Sequence, residues 1–150
     1  MSGVEWAKAR LAETVAAFAL LTRLPVGLIP VPWTRELRHA AWAYPLAGAA
    51  VDLIGGETYW IVHDLGVPPV LAAIFAIFAT ILATGALHED GLVDAADGLG
   101  GKSPDDRLAI MRDHRIGTYG AIALVLSLGI RISAVAYLAE SSLVMAALIV

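Results

Sequence analysis

The sequence predicts an all-α fold, that of a polytopic α-helical integral membrane protein, on three observations. Hydrophobic residues fill 59% of the 150 positions and charged residues 16%, where a soluble domain has about 45–50% and about 25%. Apolar stretches near 20 residues recur, the length that crosses a hydrocarbon core of about 30 Å. Lys and Arg gather in the segments at one end of those stretches, as cytoplasmic loops do. The mean hydropathy of +0.75 excludes intrinsic disorder and argues against a soluble globular enzyme. A net charge of −4 argues against a nucleic-acid partner held by a basic surface. With no cysteine, disulfides, iron–sulfur clusters and thiolate zinc sites are excluded.

The chain reads as a single helical domain over 1–150. Its first element, over 5–22, carries Glu5, Lys8, Arg10 and Glu13 and then the apolar run Val15 to Leu21. That pattern predicts an amphipathic or half-inserted helix. A cleaved signal peptide fits poorly, because acidic residues interrupt the charged region and the apolar run is short. Pro25, Pro30 and Pro32 then predict an irregular stretch.

A first span is expected over 40–62, with Trp42 and Tyr44 at one end and Tyr59 and Trp60 at the other. Such aromatic pairs mark membrane interfaces, and Trp42 to Trp60 covers about 27 Å of helix. Asp52, Glu57 and Gly55-Gly56 interrupt it. The second span, 65–87, holds no charge, and the short connector His63-Asp64 predicts an antiparallel hairpin. The third, 119–139, is apolar except for Arg131. After the polar break at 140–142 another apolar run starts at 143, so the chain reads as part of a longer one.

The basic residues set the orientation. Lys8, Arg10, Arg23, Arg35 and Arg38 precede the first span, and Lys102, Arg107, Arg112 and Arg115 lie between the second and third. The positive-inside rule puts the N-terminus and a motif loop over 88–118 in the cytoplasm. Asp52 and Arg131 each lie about 18 Å into their spans. An unpaired charge at that depth costs at least about 2.5–3.5 kcal/mol, so the two are expected to pair. Glu57 or a substrate phosphate is the rival partner for Arg131.

The chemistry is concentrated in Gly85 to Gly98, where Asp90, Asp94 and Asp97 are spaced i, i+4, i+7. On a helix they fall within roughly 60° of one face, which Ala79, Ala83 and Ala86 continue into the membrane. Clustered carboxylates repel one another and favour a shared hard cation, Mg²⁺ or Mn²⁺, which keeps waters and binds substrate phosphates. Glu89 points about 100° away and is a weaker ligand candidate. His88, on the opposite side, reads as structural. A solvated acidic helix end is the plainer explanation. The glycines at 91, 98, 100 and 101 count against it, because they would let phosphates approach backbone N–H groups. In Arg107 to Gly120, Asp113 is a candidate to complete the site or serve as base. Lys102, Arg112, Arg115 and Gly98 are candidates to hold phosphate oxygens. A basic loop touching anionic lipid headgroups is the alternative. Carboxylates and arginines at one membrane entrance together describe metal-assisted phosphoryl transfer.

The strings GALHEDGLVDAADGLGG and IMRDHRIGTYG, with LLTRLPVG and WAYPLAGAAVDLIGG before them, resemble the cobalamin-5′-phosphate synthase (adenosylcobinamide-GDP ribazoletransferase) family. The resemblance runs from about Ala17 to Ala139 and covers that family's N-terminal part. It implies a multi-pass inner-membrane, Mg²⁺-dependent enzyme of cobalamin biosynthesis. Such an enzyme joins adenosylcobinamide-GDP to α-ribazole, or its 5′-phosphate, and releases GMP. Asp94, Asp97 and Asp113 would be catalytic, with the metal on Asp90, Asp94 and Asp97. The string Asp94-Ala-Ala-Asp97-Gly98 also resembles the start of the CDP-alcohol phosphotransferase signature. That signature continues x-x-A-R, where this sequence has Leu99-Gly100-Gly101-Lys102. A cation transporter subunit using the acidic face is a third reading, of a different class. The oligomeric state stays open.

Overall fold

The computed structural model describes residues 2–30, 37–113 and 115–141. The expected helix start at 143 lies outside them. Among the described residues six α-helices follow in order: α1 (Gly3–Leu21), α2 (Tyr44–Asp64), α3 (Pro69–Thr84), α4 (Leu87–Gly98), α5 (Pro104–Met111) and α6 (Thr118–Ser141). Short 3-10 segments cover Val26–Leu28 and Leu37–Ala43, and there is no strand among the described residues.

Helix α1 begins earlier than the apolar pattern suggested, because Ser2 and Glu5 form a capping box. The Glu5 N–H donates to Ser2 Oγ at 3.3 Å and the Ser2 N–H to Glu5 Oε2 at 2.9 Å. Two otherwise orphaned amides are satisfied reciprocally. Its alanines Ala16 and Ala17 pack on Ala40 and Ala43 of the second 3-10 segment. Nearby, buried Glu13 accepts from Arg10 at 2.9 Å and from Trp42 Nε1 at 2.7 Å. These bonds fix α1 to the entrance of α2.

Helices α2 and α3 form the expected hairpin, turned at Gly66 with φ 84°. Their core is Tyr59, Ala72, Ala73, Ala76 and Ile77, closed by Val135 and Ala136 of α6. Alanine lets backbones approach closely, which favours such an interface without large side chains.

The second span departs from expectation at its end. An unbroken helix through 87 was predicted; α3 stops at Thr84 and α4 sets off at 89° to it. Gly85 (φ 68°) and Ala86 (φ 62°) are both left-handed. The Ala86 N–H reaches Ile81 O at 2.9 Å and the Gly85 N–H reaches Leu82 O at 3.2 Å. This is a Schellman termination, which a C-terminal glycine favours. The face of Ala79, Ala83 and Ala86 therefore does not run on into the acidic residues. The expected motif loop is likewise two helices, α4 and α5.

Among the described residues, Thr118–Ala139 alone is long and apolar enough to cross a membrane. Helices α3 and α4 pass the same test only together, as a bent pair.

Candidate functional site

The bend sets α4 at 89° to α3, and the faces of α4 take different partners. Asp90 and Asp94 line a cavity of about 240 Å³ with Arg112, Asp113 and Arg115. Neither Asp90 nor Asp94 makes a side-chain hydrogen bond or ion pair among the described residues. Asp113 is held by Arg115 through a fork, Nη2 to Oδ2 at 2.6 Å and Nε to Oδ2 at 3.0 Å. This hydrogen bonding, with the charge of Asp113, raises the Arg115 guanidinium above its ordinary value.

Asp97 turns elsewhere. Its Oδ2 accepts the Gly117 N–H and its Oδ1 the Gly120 N–H, both at 2.8 Å. The first amides of a helix lack intrahelical partners, and a negative charge there also meets the favourable end of the helix dipole. Asp97 thus caps α6 from another helix. A side chain at Gly117 or Gly120 would strike its carboxylate, so both glycines are needed for the approach. Of the expected metal trio, the structure brings Asp90 and Asp94 into one cavity and commits both oxygens of Asp97 to backbone. No group of three or more His, Asp or Glu side chains gathers as a metal site among the described residues.

Two of the motif glycines, Gly98 and Gly101, are needed for packing, while Gly91 faces open space. A Cβ on Gly98 would lie 3.0 Å from Met111 Cγ, and one on Gly101 2.7 Å from the Arg107 backbone nitrogen. Both make room for α5. Lys102 sits in the α4–α5 turn, its N–H donating to Asp106 Oδ2 at 2.9 Å, and does not line the carboxylate cavity. Ser103 caps α5 through the Asp106 N–H at 3.1 Å.

Glu89, one residue before Asp90, faces the other way. Its Oε1 accepts from Arg131 Nη1 at 2.7 Å, while Arg131 Nη2 approaches Thr80 Oγ1 at 3.4 Å. The expected Asp52–Arg131 pair, direct or through one water, is not formed as a direct contact: the guanidinium goes to Glu89, while Asp52 lines the same cavity. An α4 bent by 89° brings its first turn over α6, which a straight span would not do. His88 lines that cavity as well.

Sequence reasoning missed Arg23. Its N–H donates to Ala83 O at 2.7 Å, and its side chain lies where a Gly85 side chain would be. With Asp90 it lines a further cavity beside the bend. The glycine before the acidic run was the available signal.

Fold and site define an all-helical protein in which carboxylates of the short helix α4 meet arginines from the segment after α5, beside an apolar hairpin. The chain belongs to the cobalamin-5-phosphate synthase family, whose family model matches residues 13–150. It is 48% identical over 147 residues to the protein named adenosylcobinamide-GDP ribazoletransferase of Bradyrhizobium diazoefficiens, covering 97% of this chain and 56% of that protein. The proteins of the same name from Azorhizobium caulinodans and Xanthobacter autotrophicus are 49% and 45% identical. They are matched over 82% and 87% of this chain and 48% and 51% of their own length. The chain thus spans about half the length of the curated relatives it matches. No solved structure matches it.

Proposed function

We propose that the chain forms the phosphoryl-transfer half of an adenosylcobinamide-GDP ribazoletransferase. The observation that carries this reading is the cavity shared by Asp90, Asp94, Arg112, Asp113 and Arg115. Two carboxylates without side-chain partners among the described residues, beside two guanidinium groups, suit a diphosphate ester. In the reaction a hydroxyl of α-ribazole, or of its 5′-phosphate, attacks the phosphorus attached to adenosylcobinamide. That P–O bond forms as the bond to GMP breaks, and the hydroxyl proton passes to a carboxylate of the site, Asp113 or a motif aspartate.

The chain's own groups divide the work. Arg112 and Arg115 bind phosphate oxygens through their planar forks, which orients the diphosphate for in-line attack. Asp113 holds the Arg115 fork in place before the substrate arrives. Asp90 and Asp94 would hold Mg²⁺, or Mn²⁺ in its stead. A site of two carboxylates completed by substrate phosphate and water is the habit of Mg²⁺. When bound, the cation supplies charge neutralisation for the departing nucleotide. Asp97 is assigned to α6 and not to the metal.

A multi-pass inner-membrane placement is part of the proposal, with the N-terminus and α4–α5 on the cytoplasmic side. The long apolar α6, the bent α3–α4 pair and the high hydropathy support it. The test is nucleotide release by membranes carrying the protein. Mg²⁺-dependent GMP from adenosylcobinamide-GDP and α-ribazole is the expected product. Release of CMP from a CDP-alcohol, without GMP release, would contradict the reading.

A further inference from the structure

The proposed reaction places the diphosphate on one face of α4 and leaves the groups on its other face without a task. On that face lies a cavity of about 500 Å³ between α2, α3, α4 and α6. This is within the roughly 300–1,000 Å³ of small-molecule pockets. Tyr44, Gly48, Val51 and Asp52 line it from α2, Glu89 from α4 and Arg131 from α6. Ionisable groups set among spanning helices are costly and mark function by default.

We infer that this cavity is the pocket for the acceptor, a nucleoside-sized aromatic alcohol, with Glu89 receiving a hydrogen bond from one of its hydroxyls. The inference rests on the reading under Proposed function and adds the substrate's place. Three features point the same way. Glu89 Oε2 is buried and has no hydrogen-bond partner among the described residues, although Oε1 is held by Arg131 at 2.7 Å. A buried acceptor left unsatisfied carries its desolvation cost uncompensated, and a ligand hydroxyl delivered to it offsets that cost. Next, the charge is wrong for a diphosphate: beside His88 the lining carries two carboxylates, Asp52 and Glu89, against one guanidinium, Arg131, that Glu89 already engages. A neutral base and sugar avoid that repulsion, and Tyr44 with the aliphatic wall suits a flat ring. Lastly, Glu89 and Asp90 are adjacent on α4, about 100° apart around its axis. The two residues thus line separate cavities on the same helix. Arg131 acts as a positioning residue, fixing the carboxylate through Oε1.

Gly48 gives a clean test. Nothing lies within 4 Å of a Cβ added there, and its helical backbone shows no left-handed strain. Gly48→Leu therefore fills the cavity without breaking the fold. Equilibrium binding of radiolabelled α-ribazole and of GMP is measured separately, with the protein in lipid nanodiscs. Gly48→Leu should weaken α-ribazole by at least about tenfold and leave GMP within about twofold; Asp94→Asn should do the reverse. Glu89→Gln should weaken α-ribazole alone. Unchanged α-ribazole affinity in Gly48→Leu, with wild-type protein still releasing GMP, overturns the pocket and spares the proposed reaction. Wild-type protein that binds neither ligand and releases no GMP overturns both.

Discussion

Asp97 accepts the backbone N–H of Gly120 at 2.8 Å across 23 positions of sequence. The bond joins the acidic motif to the Arg-Ile-Gly-Thr-Tyr-Gly motif, and it explains why the second needs its glycines. A carboxylate can reach the amides at the start of α6 only where no Cβ intervenes. Since α6 also carries Arg131, this contact sets the register of the helix that reaches Glu89.

Asp97→Asn keeps the shape but replaces one acceptor oxygen with an N–H₂ that faces an amide donor. It should cost about 1–3 kcal/mol of stability, read by thermal unfolding in detergent. Gly120→Ala should lose a similar amount, because its methyl would meet the Asp97 carboxylate and Val93 Cγ1. Unfolding temperatures equal to wild type in both variants would refute the cap.

The Glu89–Arg131 pair has a side-chain exposure of 13% at Glu89 and 34% at Arg131. Removing one partner strands the other, so Arg131→Gln alone should destabilise by about 3 kcal/mol. Joining it to Glu89→Gln should recover part of that loss. A double-mutant cycle in which the two effects simply add would show that the contact carries no coupling.

The α3–α4 bend makes a prediction opposite to habit. Ala86 sits at φ 62°, where an L-residue with a side chain is disfavoured by about 1–2 kcal/mol. Ala86→Gly should therefore raise stability despite lying at a helix start. Gly85→Ala should lower it, through the same backbone strain and a collision with Arg23. The opposite ordering in thermal melts would place the bend elsewhere.

Arg115 carries a sign that can be checked. Asp113 raises its guanidinium value, so the cation's contribution is present below that value and would be lost only as pH rises through it, far into alkali. No loss of phosphate affinity should arise from this residue between pH 6 and pH 9, roughly the range where Arg stays charged. Arg115→Lys keeps the charge but not the fork, and should raise KM for the diphosphate substrate with a smaller change in kcat. An unchanged KM would remove Arg115 from phosphate binding.

Much of the helical layout was legible because each apolar stretch is long and its borders are chemically abrupt. The hairpin followed from a connector of two polar residues, and α6 from an apolar run broken only by Arg131. What the sequence concealed was direction. A run from 65 to 87 without charge reads as one straight helix, yet left-handed backbone at Gly85 and Ala86 turns it by 89°. That turn changes every partner downstream: Glu89 meets Arg131, and Asp52 does not. The spacing of Asp90, Asp94 and Asp97 was readable, but which carboxylate an α6 amide would claim depends on packing between elements 20 or more residues apart. The glycines of the motif were visible too. Their use, making room for α5 and for Asp97, became plain only once those elements were in place.

The central claim is that Asp90 and Asp94 act on the diphosphate while Asp97 holds α6. Its most direct test is the rate of Mg²⁺-dependent GMP release from adenosylcobinamide-GDP and α-ribazole, compared between wild type and Asp94→Asn at equal membrane content. The account predicts a loss of at least about 10²-fold with an unchanged unfolding temperature. A rate for Asp94→Asn within about threefold of wild type, less than about 0.7 kcal/mol of barrier, would contradict it.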